Sequence, residues 1–190
     1  MTALRQGLLD GRAVALAGGV SAAVGEALAV LGGRVHRLGP GLDEDATAEW
    51  AAAAAPLHAL VFDAAPTFAE GGQDGLREAL ELAWVAIRGV ATGALIPGGL
   101  GKVVLIAPHA EAGPFAAAAR DALENLARTL SVEWARYGVT AVAIAPGARG
   151  GERELAELVS YLVSSAGDYF SGCRFDLGAG EIARSGTMTR

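Results

Sequence analysis

Two places in this chain hold residue types and spacings that could do chemistry. Gly18, Gly19, Ser21, Val24 and Gly25 lie in a glycine-rich turn between an apolar run and an alanine-rich segment. In such a turn, backbone N–H groups and a helix N-terminus can face an anion. His109 and Glu111, with Arg120 just downstream, are the residue types of a small acid/base site, though solvated loop residues of the same types do no chemistry. The three histidines lie far apart and Cys173 stands alone, so no metal-ligand spacing arises, and no Gly-x-Ser-x-Gly elbow offers a nucleophile.

The elements that must position these residues follow from hydrophobic period and turn signals. Short apolar runs predict strands at Arg12–Ala17, Val35–Leu38, Ala59–Phe62, Lys102–Ala107, Thr140–Ala145 and Cys173–Leu177. Helical spacing predicts helices at Ala22–Leu31, Asp43–Ala55, Asp74–Leu95, Phe115–Tyr137 and Arg153–Ser164. Alternating strands and helices imply an α/β fold, a doubly wound parallel sheet of about six strands covered on both faces. With 190 residues, 52% of them hydrophobic, a single Rossmann-like domain over 1–180 is expected, with a polar tail over 181–190.

The run Leu8 to Gly25 and the run Arg128 to Gly147, with its Tyr137-Gly138-Val139-Thr140 turn and Pro146-Gly147 ending, resemble the short-chain dehydrogenase/reductase family. The resemblance implies a Rossmann-like sheet, an oxidoreductase ancestry and a dinucleotide at the glycine turn. Gly18 takes the place of the family's threonine, Ala23 that of its middle glycine, and Gly25 that of its last. A methyl at Ala23 crowds the approach of a pyrophosphate. The second strand ends in Arg37-Leu38-Gly39 without a carboxylate, which suits NADP better than NAD, with Arg37 toward a 2′-phosphate or simply solvated. Asp63 falls where the family places an asparagine, to meet an adenosine or to cap nearby backbone.

The family's catalytic positions are occupied by other residues. Its tyrosine corresponds to Ala116, its lysine to Arg120, its serine to Pro108 and its relay asparagine to Trp84. The pattern is absent at any register, because the only lysine, Lys102, has Gly98 one helical turn before it. The intervals from Leu38 to Phe62 and from Gly147 to Arg153 are short beside the family's, so one crossover and the substrate lid read as shortened. The resemblance is thus to a truncated, degenerate member with no catalytic residues and with no cofactor or weakly bound NADP.

Helices 74–95 and 115–137 resemble those through which this family's subunits associate. Trp84 with Arg88 marks a stripe on the first, and Leu126, Leu130 and Trp134 mark one on the second. A homo-oligomer, or a hetero-oligomer with an active homologue, is therefore expected. The alternatives are an NADP-dependent oxidoreductase with a noncanonical or partner-completed site, and a binding module for a nucleotide or small ligand. A net charge of −6 with scattered basic residues makes a nucleic-acid partner unexpected. No stretch of eighteen uninterrupted apolar residues and no signal-peptide pattern is read, so a cytoplasmic protein without a membrane span is expected. The lone Cys173 agrees, and reads as a small buried core residue.

Overall fold

A computed structural model describes residues 4–68, 72–147 and 151–178. Its centre is a six-stranded sheet in the order β2-β1-β3-β4-β5-β6, parallel at every pairing. The strands are β1 Ala13–Gly18, β2 Arg34–Arg37, β3 Ala59–Asp63, β4 Gly101–Ile106, β5 Val139–Pro146 and β6 Arg174–Leu177. The helices are α1 Ala22–Val30, α2 Glu44–Ala54, the short α3 Ala65–Phe68, α4 Gln73–Val90, the short α5 Ile96–Gly98, α6 Ala116–Glu133 and α7 Glu152–Leu162. The tail over 181–190 lies outside the described residues.

Each central strand supplies two cores by simple alternation. Ala13, Ala15 and Ala17 of β1, Val103 and Leu105 of β4, and Ala141 and Ala143 of β5 enter the core shared with α2, α4 and α6. Their neighbours Val14, Leu16, Val104, Ile106, Val142 and Ile144 enter the core shared with α1 and α7. This double burial is why the strands read as continuous apolar runs. Burying a leucine such as Leu60 or Leu105 contributes about 1.5–3 kcal/mol.

Local signals set the helix starts. Ser21 Oγ accepts from the Val24 amide to cap α1, and Asp43 accepts from the Ala46 amide to cap α2, whose first turn carries Glu44 and Asp45. Glycine lets α2 and α4 come together. A Cβ at Gly93 would stand 2.2 Å from the Ala48 carbonyl oxygen, and one at Gly89 would stand 2.5 Å from the Thr47 side chain.

Two predicted helices are modified. The long one does not stop at Leu95 but passes through a π-helical turn at Ala91–Leu95 into α5. By length and composition the run Gln73–Gly98 would suffice to cross a membrane, yet half of its most apolar window is buried within the domain, packed on α2, α6 and the sheet. The predicted helix 115–137 ends at Glu133 and finishes as a 3-10 turn, Ala135–Tyr137, closed by Gly138 at φ 71°. The short α3 has no sequence counterpart, since four residues give no period to read.

Candidate functional site

In open parallel sheets, ligands bind beyond the carboxyl ends of the strands. Here that edge is built by the glycine turn after β1, the loop after β2, α3 after β3, and the ends of β4 and β5.

The glycine turn is filled by the chain's own atoms. Gly18 has φ 72°, and a Cβ there would meet the Asp63 carbonyl oxygen at 2.2 Å. A Cβ on Gly19 would stand 2.2 Å from Pro66 Cγ, and one on Gly25 would stand 2.6 Å from an Arg37 nitrogen. Three of its amides are committed as well. Gly19 N–H donates to the Asp63 carbonyl and Gly25 N–H to the Ser21 carbonyl, while Val24 N–H donates to Ser21 Oγ at 3.4 Å. Arg37 folds back toward α1, where Nη1 donates to the Val20 carbonyl at 3.2 Å.

Asp63 takes the second of its two expected roles. Its Oδ1 accepts from the Ala65 amide at 2.9 Å, an Asx turn that starts α3. Burial raises its pKa to about 6, against the lowering effect of that amide.

Arg120 occupies the other half of the edge. From the second turn of α6 its Nη1 donates to the Pro108 carbonyl at 2.9 Å and to the Pro146 carbonyl at 2.6 Å. Its Nη2 lies 4.0 Å from Asp176 Oδ1 on β6. One side chain, 14% exposed, thus ties together the ends of β4, β5 and β6. Burial lowers the Arg120 pKa and nearby Arg174 lowers it further, while Asp176 opposes the shift. Beyond it the charges continue as a ladder, with Asp176 and Glu124 both on Arg174 and Glu124 also on Arg128.

The remaining sequence candidates are dispersed. Ala116 is 0% exposed and faces the core under α6, and Pro108 is buried. His109 and Glu111 are exposed, and among the described residues neither forms a side-chain hydrogen bond or ion pair with Arg120. The expected acid/base trio is therefore not assembled, because the Arg120 donors are aimed at strand-end carbonyls. Trp84 is 42% exposed on the outer side of α4, with the Arg88 guanidinium carbon 5.4 Å from its ring centroid and Arg88 paired with Glu44 at 3.2 Å. It is not a cleft residue. In the stripe Leu126, Leu130 and Trp134, Leu130 belongs to the main core and the other two, partly buried, pack against it. Cys173 is a free, half-buried thiol against the second core.

Between the glycine turn and α4 an open cavity of about 540 Å³ remains. Its walls include Leu38, Leu42, Phe62, Leu82 and Val85, with Thr47, Thr67 and Glu78 as polar members. The sequence reading found the glycines of this site and not its far wall. Leu82 and Val85 lie off the buried stripe of α4, a signal that was there to use. Pro66 had none, because only the fold of α3 brings it over Gly19.

The sheet order, the two helical layers and the carboxyl-edge cleft define a doubly wound, Rossmann-like α/β protein. Neither a family model nor a curated relative matches the sequence, but many solved structures match the fold. A citronellol catabolism dehydrogenase of Pseudomonas aeruginosa PAO1 aligns with TM-score 0.75 at 23% identity, over 93% of this chain and 97% of that one. An NAD(P)-dependent gluconate 5-dehydrogenase from Beutenbergia cavernae, with bound NADP, aligns with TM-score 0.70 at 21% identity, over 88% and 95%. A Serratia marcescens short-chain dehydrogenase/reductase aligns with TM-score 0.71 at 21% identity, over 88% and 96%. The chain has the fold of the short-chain dehydrogenases/reductases.

Proposed function

We propose that this chain is a non-catalytic protein of the short-chain dehydrogenase/reductase fold, acting as a structural or regulatory subunit beside itself or an active homologue. The observation that carries this reading is Arg120. It stands where the resemblance places a lysine that lowers a tyrosine's pKa, yet it is spent on the Pro108 and Pro146 carbonyls. Ala116, at the tyrosine position, has no hydroxyl to tune. A guanidinium is always protonated near neutrality and cannot act as a base.

The dinucleotide that this fold holds in the Beutenbergia structure is poorly served by the residues present here. The amides of Gly19, Val24 and Gly25 donate within the chain, and Pro66 covers Gly19. The Trp84–Arg88 pair on the outer side of α4 supports the association reading, since aromatic and arginine side chains are common interface anchors.

Light scattering on the purified chain should give a dimer or larger, and Trp84→Glu should shift it toward monomer. If the wild type is already a monomer, co-expression with an intact homologue should yield a stable complex. Turnover of NADPH or NADH by the isolated chain would overturn the reading. The alternative, an NADP-dependent oxidoreductase with a partner-completed site, draws on Arg37 and the NADP-bound neighbour. It requires micromolar NADPH binding that Arg37→Ala weakens.

A further inference from the structure

The cavity beside the glycine turn has a charge character that does not match the phosphate chemistry of its fold. Among the described residues that line its roughly 540 Å³ there is no lysine, arginine or histidine, and Glu78 is the charged member. Arg37, the guanidinium at the end of the neighbouring strand, turns to the α1 side and donates to Val20. The amides of Gly19, Val24 and Gly25 already donate to protein acceptors. A phosphate entering here would lose its hydration without a countercharge in the lining or these amide donors to replace it.

The walls favour another kind of ligand. Leu38, Leu42, Leu82 and Val85 present apolar surface over the buried Phe62 and Thr47, and Thr67 and Glu78 provide polar contacts. A cavity of this volume, mostly apolar with few polar groups, is of the kind that holds small molecules. Thr47 is fully buried and its Oγ1 donates to the Asp43 carbonyl at 2.6 Å, so Thr67 and Glu78 are the polar side chains that face the cavity. The only charge among these described lining residues is the Glu78 carboxylate.

We infer that this cavity is a binding site for an apolar, ring-bearing small molecule that is uncharged or cationic, and that it discriminates against phosphate-bearing and other anionic ligands. This goes beyond the subunit role and does not depend on it. The subunit role can fail while the site stands, and the site can fail while the subunit role stands.

The test uses one ring with three charges. Indole, tryptamine and indole-3-acetate are titrated into the full chain by calorimetry, with NADPH and AMP alongside. Tryptamine should bind about fivefold or more tightly than indole-3-acetate, the difference expected of one partly solvated charge. Indole should fall between them, and NADPH and AMP should not displace it. Glu78→Gln should remove the preference for tryptamine while leaving indole binding unchanged. Val85→Trp should fill the cavity and abolish binding of all three, with its urea midpoint showing that the fold is kept. Should Val85→Trp unfold the chain, Leu82→Trp, at a position already partly exposed, serves the same purpose. Tighter binding of indole-3-acetate or NADPH than of tryptamine, undiminished binding in the folded filled variant, or no binding of indole or tryptamine up to their solubility overturns the inference.

Discussion

Arg120 Nη1 lies 2.6 Å from the carbonyl oxygen of Pro146, two residues beyond the last ladder pair of β4 and β5, Ile106 with Ile144. The same nitrogen reaches the Pro108 carbonyl at 2.9 Å. Strand ends leave carbonyls without ladder partners, and burying them unpaired is costly. A guanidinium offers several fixed donors and can serve two carbonyls and a carboxylate from one position. The ends of β4, β5 and β6 are therefore held together by a side chain that the fold uses as a staple.

Removing that staple should be felt in stability. Arg120→Ala leaves two strand-end carbonyls unpaired and should cost about 2–4 kcal/mol, since hydrogen bonds from charged donors contribute about 1.5–3 kcal/mol each. Arg120→Lys should recover only part of this, because an ammonium lacks the planar fork. Urea unfolding of the three proteins measures it, and an unchanged midpoint in Arg120→Ala would show the contact to be incidental.

Restoring the family pair should not restore chemistry. Ala116 is 0% exposed, so Ala116→Tyr forces a ring into a packed core at a cost of about 1–3 kcal/mol. The double variant with Arg120→Lys should unfold at lower urea than wild type and show no turnover of NADH or NADPH with alcohols, aldehydes or ketones. Recovered turnover would sink the non-catalytic reading.

Asp63 should make stability depend on pH. Burial holds its folded pKa at about 6, above the ordinary carboxyl value of 3.8. The sign is that of a raised group: the contribution is fully present below about pH 3.8 and is lost as pH rises through about 6. Asp63→Asn keeps an oxygen for the Ala65 amide and removes the titration. Relative to wild type it should gain stability from pH 3.5 to pH 8, by at most about 3 kcal/mol. A difference independent of pH would show that Asp63 does not titrate in this window.

Lys102, the only lysine, is 1% exposed. Its Nζ donates to the Gly167 carbonyl and, at 2.8 Å, to that of Phe170. Burial lowers its pKa against the pull of Asp168 and Cys173. Acylation by an N-hydroxysuccinimide ester should therefore modify the folded chain only at its N-terminus, with Lys102 reacting in step with the urea unfolding curve. Labelling of Lys102 in the absence of urea, read by peptide mass, would contradict the burial.

The packing of α2 on the π-helical turn after α4 depends on Gly93. A side chain there would meet the Ala48 carbonyl oxygen at 2.2 Å, and backbone cannot swing aside as a flexible side chain can. Gly93→Val should destabilise by about 1–3 kcal/mol, and Gly98→Val, with open space around its Cβ position, should cost far less. Thermal unfolding of the pair separates packing from a general loss of glycine.

The order of strands and helices was legible in the linear sequence because each element carries its own period, caps and turns within a few neighbouring residues. Val14 and Leu16 alternating with Ala13 and Ala15, Ser21 and Asp43 at helix starts, and Gly138 after the 3-10 turn are all local events. The glycine turn and the absence of any tyrosine–lysine pair were equally plain, since both need only a count along the chain. What the tertiary structure decided is what those residues touch. Gly19 answers to Pro66, Gly25 to Arg37, and Arg120 to Pro108 and Pro146, partners brought together by the crossing of strands rather than by spacing. The same holds for Leu130 and Trp134, whose inward direction depends on how α6 is rolled against the sheet. Side-chain periodicity specifies an element and its apolar face; the atoms that line a cleft are set by long-range packing, as with Pro66 against Gly19 and Arg120 on two strand-end carbonyls.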